Sequence, residues 1–154
     1  MSTPSASSLV LASCAALLAG PCSQADDTRP SIDSQTVMLY YRDLTAAATF
    51  YGEKLGLEKT QDFGWAKFFR VSPGADVGIV KAGPGAYHQP QRRNAVMLSI
   101  ITHEVDSWYR RLKPDKSIVF LVDIHTGTTA PIRSFMIQDP GGYTVEFFQW
   151  LEQP

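Results

Sequence analysis

Residues 133–150, RSFMIQDPGGYTVEFFQW, contain two apolar runs joined by a tight turn, and this stretch decides the fold that we predict for the chain. Residues 134–138 and 144–150 are rich in β-branched and aromatic side chains, which favour strands. Between them, the sequence DPGG at 139–142 supplies a proline with a preset φ and two glycines that tolerate positive φ. The stretch is therefore predicted to form a β-hairpin.

The second strand of this hairpin carries a carboxylate in an apolar setting. Side chains alternate between the two faces of a strand, so Val145 and Phe147 share one face while Thr144, Glu146 and Phe148 share the other. Glu146 would therefore point away from the obvious core residues. We take Glu146 as the candidate catalytic or ligand-binding carboxylate.

Length and charge limit what the chain can do. One domain is the default for 154 residues, and that length can bury an ordinary core without disulfides. The formal net charge is −1, from 14 basic and 15 acidic residues, which indicates neither nucleic-acid binding nor attraction to a membrane surface. A small molecule without strong charge is the partner that we expect.

The start of the chain has the features of a secretory signal. Residues 1–25 carry no charge, residues 9–19 form an apolar centre, and the sequence SQA at 23–25 fits the small-x-small cleavage rule. Both cysteines, Cys14 and Cys22, lie in this segment, so the mature chain would contain none. Export to the periplasm or outside the cell is predicted, with no membrane-spanning segment in the mature chain. A lipid anchor at Cys14, in the lipobox-like sequence LASC, is the alternative.

After a flexible linker at 26–35, the pattern of the chain repeats within a domain at 36–152. Each half has the predicted order strand, helix and three strands, which defines two βαβββ modules at 36–82 and 94–151. The predicted elements are a strand at 36–41, a helix at 45–55 and strands at 57–62, 65–71 and 76–81, followed by a strand at 95–102, a helix at 104–113, a strand at 117–122 and the hairpin.

Short motifs make this repeat specific. They are YRDL at 41–44, FY at 50–51 and LGL at 55–57 in the first half, and VDxWYxxL at 105–112, RSF at 133–135 and DPGGY at 139–143 in the second. A chain with these motifs resembles the vicinal oxygen chelate superfamily, which includes glyoxalases, bleomycin-resistance proteins, fosfomycin-modifying enzymes, ring-cleaving dioxygenases and racemases. The resemblance implies an α+β fold in which two curled mixed sheets wrap a concave cavity, with the helices outside.

The resemblance also implies where a metal would bind. In metal-dependent members, His, Gln or Glu hold the ion on the first and last strands of each module, which correspond here to Thr36, Gly78, Met97 and Glu146. Of these four residues, only Glu146 could be a metal ligand, because a glycine and a thioether offer nothing useful to a hard cation. We therefore predict no metal and no other cofactor, and a divalent ion held by Glu146 with His125 is the alternative.

The three histidines are weaker candidates than Glu146. His88 lies in the connection between the modules and His103 lies before a helix beside Glu104, where solvated or capping roles are common. His125 lies in a predicted loop at 123–131, where small residues could approach a ligand. We keep His125 as a candidate ligand-binding residue.

The alternation that assigns Glu146 to the concave face assigns other residues to it as well. These candidate ligand-binding residues are Thr36, Met38, Tyr40, Gly78, Val80, Met97, Ser99, Ile101 and Phe148. A lining of aromatic, methionine and small residues with few polar groups is typical of small-molecule sites. The structural alternative is that large side chains fill the cavity as core.

Two hypotheses for function follow. In the first, an exported, metal-free binding protein holds a small aromatic or amphipathic molecule, and Glu146 meets its polar or cationic group, by analogy with bleomycin-resistance proteins. In the second, the chain is a lyase, an isomerase or a dioxygenase-like enzyme with Glu146 as general base or metal ligand. The sequence is compatible with a monomer or a homodimer, and the fold alone does not decide between the hypotheses.

Overall fold

The computed structural model describes residues 30–91 and 94–151. The predicted signal segment at 1–25, with Cys14 and Cys22, lies outside these ranges, as does the first part of the predicted linker. Within the described ranges, no helix is long and apolar enough to cross a membrane. Export therefore stays a prediction.

The first module is a four-stranded sheet with one helix. Strands β1 (Gln35–Tyr41), β2 (Lys59–Asp62), β3 (Ala66–Ser72) and β4 (Ala75–Lys81) lie in the order β1-β4-β3-β2, and helix α1 (Leu44–Ala48) follows β1. Strands β1 and β4 are parallel, and the other neighbours are antiparallel. A helix between β1 and the following strands is what a parallel β1–β4 pair requires, because the chain must cross over.

The second module repeats this topology. Strands β5 (Met97–Ile101), β6 (Val119–Thr126), β7 (Ile132–Gln138) and β8 (Thr144–Trp150) lie in the order β5-β8-β7-β6, and helix α2 (Val105–Leu112) follows β5. Again, the first and last strands are parallel and the remaining pairs are antiparallel. The predicted α+β fold of two βαβββ modules is confirmed, and the hairpin of β7 and β8 lies where the sequence predicts it.

Helix α1 is not a regular α-helix over the predicted residues 45–55. It passes into a π-helical segment, Thr49–Lys54, after which the Leu55 amide donates a hydrogen bond to the Phe50 carbonyl at 3.0 Å. A π-helical turn spans five residues per hydrogen bond instead of four. Both aromatic residues of this segment, Phe50 and Tyr51, are buried. The apolar spacing predicts a helix here, but it does not distinguish the wider turn.

Strand β6 is longer than predicted, which changes the setting of His125. The sequence predicts a loop from residue 123, but β6 continues to Thr126 because its pairing with β7 resumes after two irregularities in register. His125 is paired with Ser134 on β7. The predicted loop position of His125 is therefore wrong, since cross-strand pairing overrides the weak strand preference of its polar neighbours.

In the described part of the chain, one hydrophobic core lies between the helices and the sheets, and both modules contribute to it. Trp108 of α2 packs on Phe147 with ring centroids 5.0 Å apart, and Tyr51 packs on Phe69 at 6.2 Å. We call this side of each sheet the helix face and the opposite side the open face.

A buried carboxylate joins the two modules through this core. Asp139, in the turn between β7 and β8, accepts hydrogen bonds on one oxygen from the hydroxyls of Tyr41 and Tyr51, the latter at 3.0 Å. Its other oxygen accepts hydrogen bonds from the amides of Gly141 and Tyr143 at 2.9 and 2.8 Å. Burial raises the pKa of the Asp139 carboxyl, and these hydrogen bonds oppose that shift. We call Tyr41, Tyr51 and Asp139 the inter-module cluster.

Candidate functional site

The open faces of the two sheets hold the predicted site residues in two separate groups. On the first sheet, β1 and β4 pair Met38 with Gly78. On the second sheet, β5 and β8 pair Ser99 with Glu146. The first open face holds Thr36, Met38, Tyr40, Gly78 and Val80, and the second holds Met97, Ser99, Ile101, His125, Glu146 and Phe148.

Glu146 lies in the middle of the second open face and is only 7% exposed. Its Oε2 accepts a hydrogen bond from the Ser99 hydroxyl at 2.8 Å. Among the described residues, no further side chain bonds to this carboxylate, and no fully buried side-chain oxygen lacks a partner. The second oxygen, Oε1, is therefore open to solvent or to a ligand.

Apolar side chains lie beside this carboxylate, together with the polar Ser99 and Thr144. Phe148, the next residue on the same face, contacts Trp150 with ring centroids 5.3 Å apart. On the neighbouring strand, Met97 and Ile101 are 49% and 63% exposed. A carboxylate in such a surface is poorly solvated, so a cation or a hydrogen-bond donor gains more by contacting it than by contacting a solvated carboxylate.

His125 shares the second open face but is not close to Glu146. His125 is paired with Ser134 on β7, whereas Glu146 lies one strand further, on β8, opposite Met136. Since neighbouring strands are about 4.8 Å apart, this two-strand step separates the two backbones by about 10 Å. His125 is exposed, and its Nδ1 lies 3.2 Å from the carbonyl oxygen of Asp123. The structure does not bring His125 and Glu146 together.

On the first open face, Met38 occupies the space beside Gly78. A side chain added at Gly78 would collide with Sδ of Met38 and would come within 3.3 Å of Cε1 of Phe68. A thioether therefore packs at the place that corresponds to a metal ligand in the metal-dependent members of the resembled superfamily.

The donor atoms present do not fit the divalent metal that such members bind. Thr36, Gly78, Met97 and Glu146 offer one hydroxyl, no side chain, one thioether and one carboxylate, whereas a divalent ion needs several convergent carboxylate or imidazole donors. In the described part of the chain, no group of three or more His, Cys, Asp and Glu residues could hold a metal ion. We derive no metal-dependent step for this site.

A cavity of about 490 Å³ lies on the first open face, away from Glu146. Tyr40, Trp65 and Tyr87 are among the residues that line it. His88 contacts Tyr40 edge to face, with ring centroids 5.2 Å apart. Alternation assigns Tyr40 to this face, but it gives no role to Trp65 or Tyr87. The only sequence signal for these two is a large aromatic residue beside a glycine-containing turn.

Comparison with known proteins shows the superfamily to which this chain belongs. The family model of the Glyoxalase/Bleomycin resistance protein/Dioxygenase superfamily matches residues 34–147, a range that covers both modules. The chain belongs to this superfamily.

Solved structures resemble the chain closely in fold and distantly in sequence. A glyoxalase/bleomycin resistance protein/dioxygenase from Nocardioides is 25% identical, with a TM-score of 0.65 over 82% of this chain and 87% of that chain. A lactoylglutathione lyase from Agrobacterium tumefaciens is 24% identical, with a TM-score of 0.60 over 79% and 95% of the two chains. TioX from Micromonospora sp. ML1 is 16% identical, with a TM-score of 0.61 over 77% and 98%. The likenesses to the lactoylglutathione lyase and to TioX, both below 25% identity, show the fold alone. A search of curated protein sequences gave no significant match.

Proposed function

We propose that this chain is an exported binding protein of the superfamily that holds a small molecule on the second open face without the usual metal. Glu146 binds the ligand's cationic or hydrogen-bond-donating group, and Met97 and Phe148 contact its apolar part. The observation that supports this most directly is a nearly buried carboxylate with one oxygen held by Ser99 and the other without a bond to any described side chain, on a face that also carries apolar side chains.

The energetics of this carboxylate favour a ligand with a positive charge. A buried charge is costly unless it is paired, and the Ser99 hydroxyl compensates it with a single neutral hydrogen bond. A ligand cation at Oε1 would supply a charge-assisted hydrogen bond, which is about twice as strong as a neutral one. The apolar neighbours then contribute affinity by being covered.

The proposal includes a homodimer in which a second copy covers the second open face and encloses the ligand. Met97, Ile101 and Val119 are large apolar side chains that are exposed on this face. Strand β5 is also the outermost strand of its sheet, so its outer backbone groups can pair with another chain. Both features are typical of surfaces that a partner covers.

Benzamidine and its neutral isostere benzamide test the role of Glu146. We expect the purified protein to bind benzamidine about tenfold more tightly than benzamide, as one charge-assisted contact implies. Calorimetric titration should show that Glu146→Gln abolishes this preference while the melting temperature is retained. Glu58→Gln, at an exposed glutamate outside the open faces, is the matched control. Unchanged benzamidine binding by Glu146→Gln would refute the assignment.

Two further measurements on the natively expressed protein test the remaining parts of the proposal. Elemental analysis should find no stoichiometric zinc, iron, manganese or nickel, and finding one would favour the enzyme hypothesis instead. Mass spectrometry should find Asp26 as the mature N-terminus. A lipid-modified Cys14 would indicate the anchored alternative, and an intact Met1 would contradict export.

A further inference from the structure

The second open face carries a strip of side chains along β8 that continues beyond Glu146. Strand β8 pairs with β7 without a break in register, so Glu146, Phe148 and Trp150 lie on the same face. Alternate residues of a strand are about 7 Å apart, which places Phe148 between the carboxylate and the indole. The site proposed around Glu146 therefore extends toward Trp150.

The two aromatic residues of the strip differ in exposure. Phe148 is 9% exposed, whereas Trp150 is 59% exposed. Their rings meet edge to face, with centroids 5.3 Å apart and ring planes at 89°. Phe148 is therefore the floor of the strip, and the indole of Trp150 stands out from the face at its end. Tryptophan side chains are highly buried on average, so an indole as exposed as this one is available to a ligand.

Apolar side chains flank the strip on both neighbouring strands. Ile101 of β5 is paired with Phe148 and is 63% exposed. Ile132 of β7 is paired with Trp150 and is half-buried. A ligand that covers the strip therefore removes apolar area from water on both sides, which contributes to its affinity.

The strip has one charge, and it lies at the end opposite Trp150. Glu146 is paired with Ser99 and Met136, and the described partners of Phe148 and Trp150 on β5 and β7 are uncharged as well. His125 lies one strand further away, on β6. A ligand that fits the strip therefore has a cation at one end and an apolar group at the other.

The spacing along the strand sets the length of a ligand that uses both ends. Glu146 and Trp150 are four residues apart, which corresponds to about 13 Å between their backbones. The ammonium occupies the space beside the carboxylate and the ring occupies the space beside the indole, so roughly half of that length separates the ammonium from the ring centre. A chain of about four methylene groups spans this separation.

We propose that the Glu146 site takes arylalkylamines, with the ammonium at Glu146, the alkyl chain over Phe148 and the aromatic ring against the indole of Trp150. Trp150 then selects for an aromatic ring, because aromatic pairs are favourable beyond the area that they bury. This inference rests on the proposed function, since it uses Glu146 as the partner of the ligand's cation.

Three amines test the inference by calorimetric titration of the purified protein: 4-phenylbutylamine, octylamine and benzylamine. Octylamine is similar to 4-phenylbutylamine in apolar size but has no ring, and benzylamine has a ring that cannot reach Trp150 from Glu146. We expect 4-phenylbutylamine to bind about fivefold more tightly than octylamine, the size of one aromatic pair. It should bind about tenfold more tightly than benzylamine, which covers less of the strip.

Replacing the indole should remove the preference for the ring. Trp150→Leu keeps an apolar side chain, so it should lower the affinity for 4-phenylbutylamine to that for octylamine. Trp150→Phe keeps a ring and should retain most of the preference. Trp150 is exposed, so both variants should keep the fold, and an unchanged melting temperature checks this. Trp65→Ala, at a similarly exposed tryptophan between β2 and β3, is the matched control and should leave all three affinities unchanged.

Glu146→Gln separates this inference from the proposed function. It should weaken all three amines about tenfold, because a charge-assisted contact is lost. Unchanged affinities for Glu146→Gln would refute the proposed function. If Glu146→Gln weakens the amines but Trp150→Leu still prefers 4-phenylbutylamine over octylamine, the proposed function stands and the role of Trp150 is wrong. Equal binding of 4-phenylbutylamine and benzylamine by the parent protein would contradict the length that we infer.

Discussion

Two nearly buried carboxylates of this chain differ in how their charge is compensated. Asp139 accepts four hydrogen bonds, from two tyrosine hydroxyls and two backbone amides. Glu146 accepts one, from Ser99. A buried carboxylate that accepts several hydrogen bonds from the protein has a structural role, whereas a carboxylate with a free oxygen can bind a ligand. We therefore expect Asp139 to contribute to stability, and this contrast supports the proposal that Glu146 binds a ligand.

Replacing Asp139 tests its structural role. Asp139→Asn keeps the size of the side chain but turns one acceptor oxygen into a donor, which leaves buried hydroxyl or amide groups of the cluster without a partner. We expect a loss of about 3 kcal/mol in the free energy of unfolding, measured by urea titration. Asp43→Asn, at an exposed helix cap where asparagine serves equally well, should cost less than about 0.5 kcal/mol. A cost for Asp139→Asn as small as for Asp43→Asn would contradict the cluster's role.

The pH dependence of this cost follows from the raised pKa of Asp139. Burial favours the protonated carboxyl in the folded state, so its contribution to stability is complete below the ordinary pKa of about 4 and is lost as pH rises through the folded pKa. The stability difference between the protein and Asp139→Asn should therefore be largest near pH 4 and fall toward neutral pH. Comparing the two proteins cancels the titration of the exposed carboxylates. If this stability difference instead grows as pH rises, the hydrogen bonds would outweigh burial in setting the pKa of Asp139.

Only part of this residue-scale picture can be predicted from the sequence. Strand alternation is local, so it identifies Glu146 and its face. Asp139 is predicted only as a turn residue, because its partners Tyr41 and Tyr51 lie 98 and 88 residues away. Trp65 and Tyr87 are missed for the same reason, since they become neighbours only when the turn and the connection fold over the sheet.

At the scale of elements, Trp108 is one anchor of helix α2, beside the buried Val105 and Leu112 and the partly buried Tyr109. Trp108 lies against Phe147 on the helix face of β8, and the guanidinium of Arg111 lies over its ring at 5.5 Å from the ring centroid. The helix has eight residues, which is too short to be stable by itself. Packing against the sheet must therefore supply its stability.

Truncating this anchor should destabilise the fold without a specific effect on binding. Trp108→Ala should lower the free energy of unfolding by about 2 kcal/mol, less than for a fully buried tryptophan because Trp108 is only partly buried. Trp65→Ala, at an exposed tryptophan in the turn between β2 and β3, should change it by about 0.5 kcal/mol or less. Chemical denaturation of both variants checks this, and a Trp108→Ala protein that melts normally but no longer binds benzamidine would contradict the packing role.

The sequence predicts the type of each element better than its limits. Alternation and turn residues are sufficient for the hairpin of β7 and β8, because its pairing is local. They are insufficient for β6, whose last residues are polar and become a strand only by pairing with β7. The π-helical segment Thr49–Lys54 is missed because an apolar period does not distinguish a wider turn from an α-helical one.

At the scale of the whole molecule, the helix faces share one core while the open face of the second sheet exposes large apolar side chains. An exposed apolar face of this kind favours association, because covering it removes apolar area from water. The proposed homodimer would cover Ile101 and the outer edge of β5. In this proposal, a second copy would complete the ligand site.

Placing a charge on this face should separate the copies. Ile101→Lys would bury an unpaired ammonium in the proposed interface, so we expect light scattering to find a dimer for the parent protein and a monomer for the variant. Ile32→Lys, at an exposed isoleucine before β1 and outside the open faces, should remain dimeric. A monomeric parent protein would remove the dimer from the proposal.

The inter-module cluster has a consequence for any attempt to divide this chain. A cut in the connection between the modules would leave the first fragment with two buried hydroxyls and the second with a buried carboxylate, each without the partner it needs. Neither fragment could fold well alone, although each contains a complete βαβββ unit. The two fragments should instead complement each other when mixed, so the internal repeat of this protein is one cooperative body made of two similar halves.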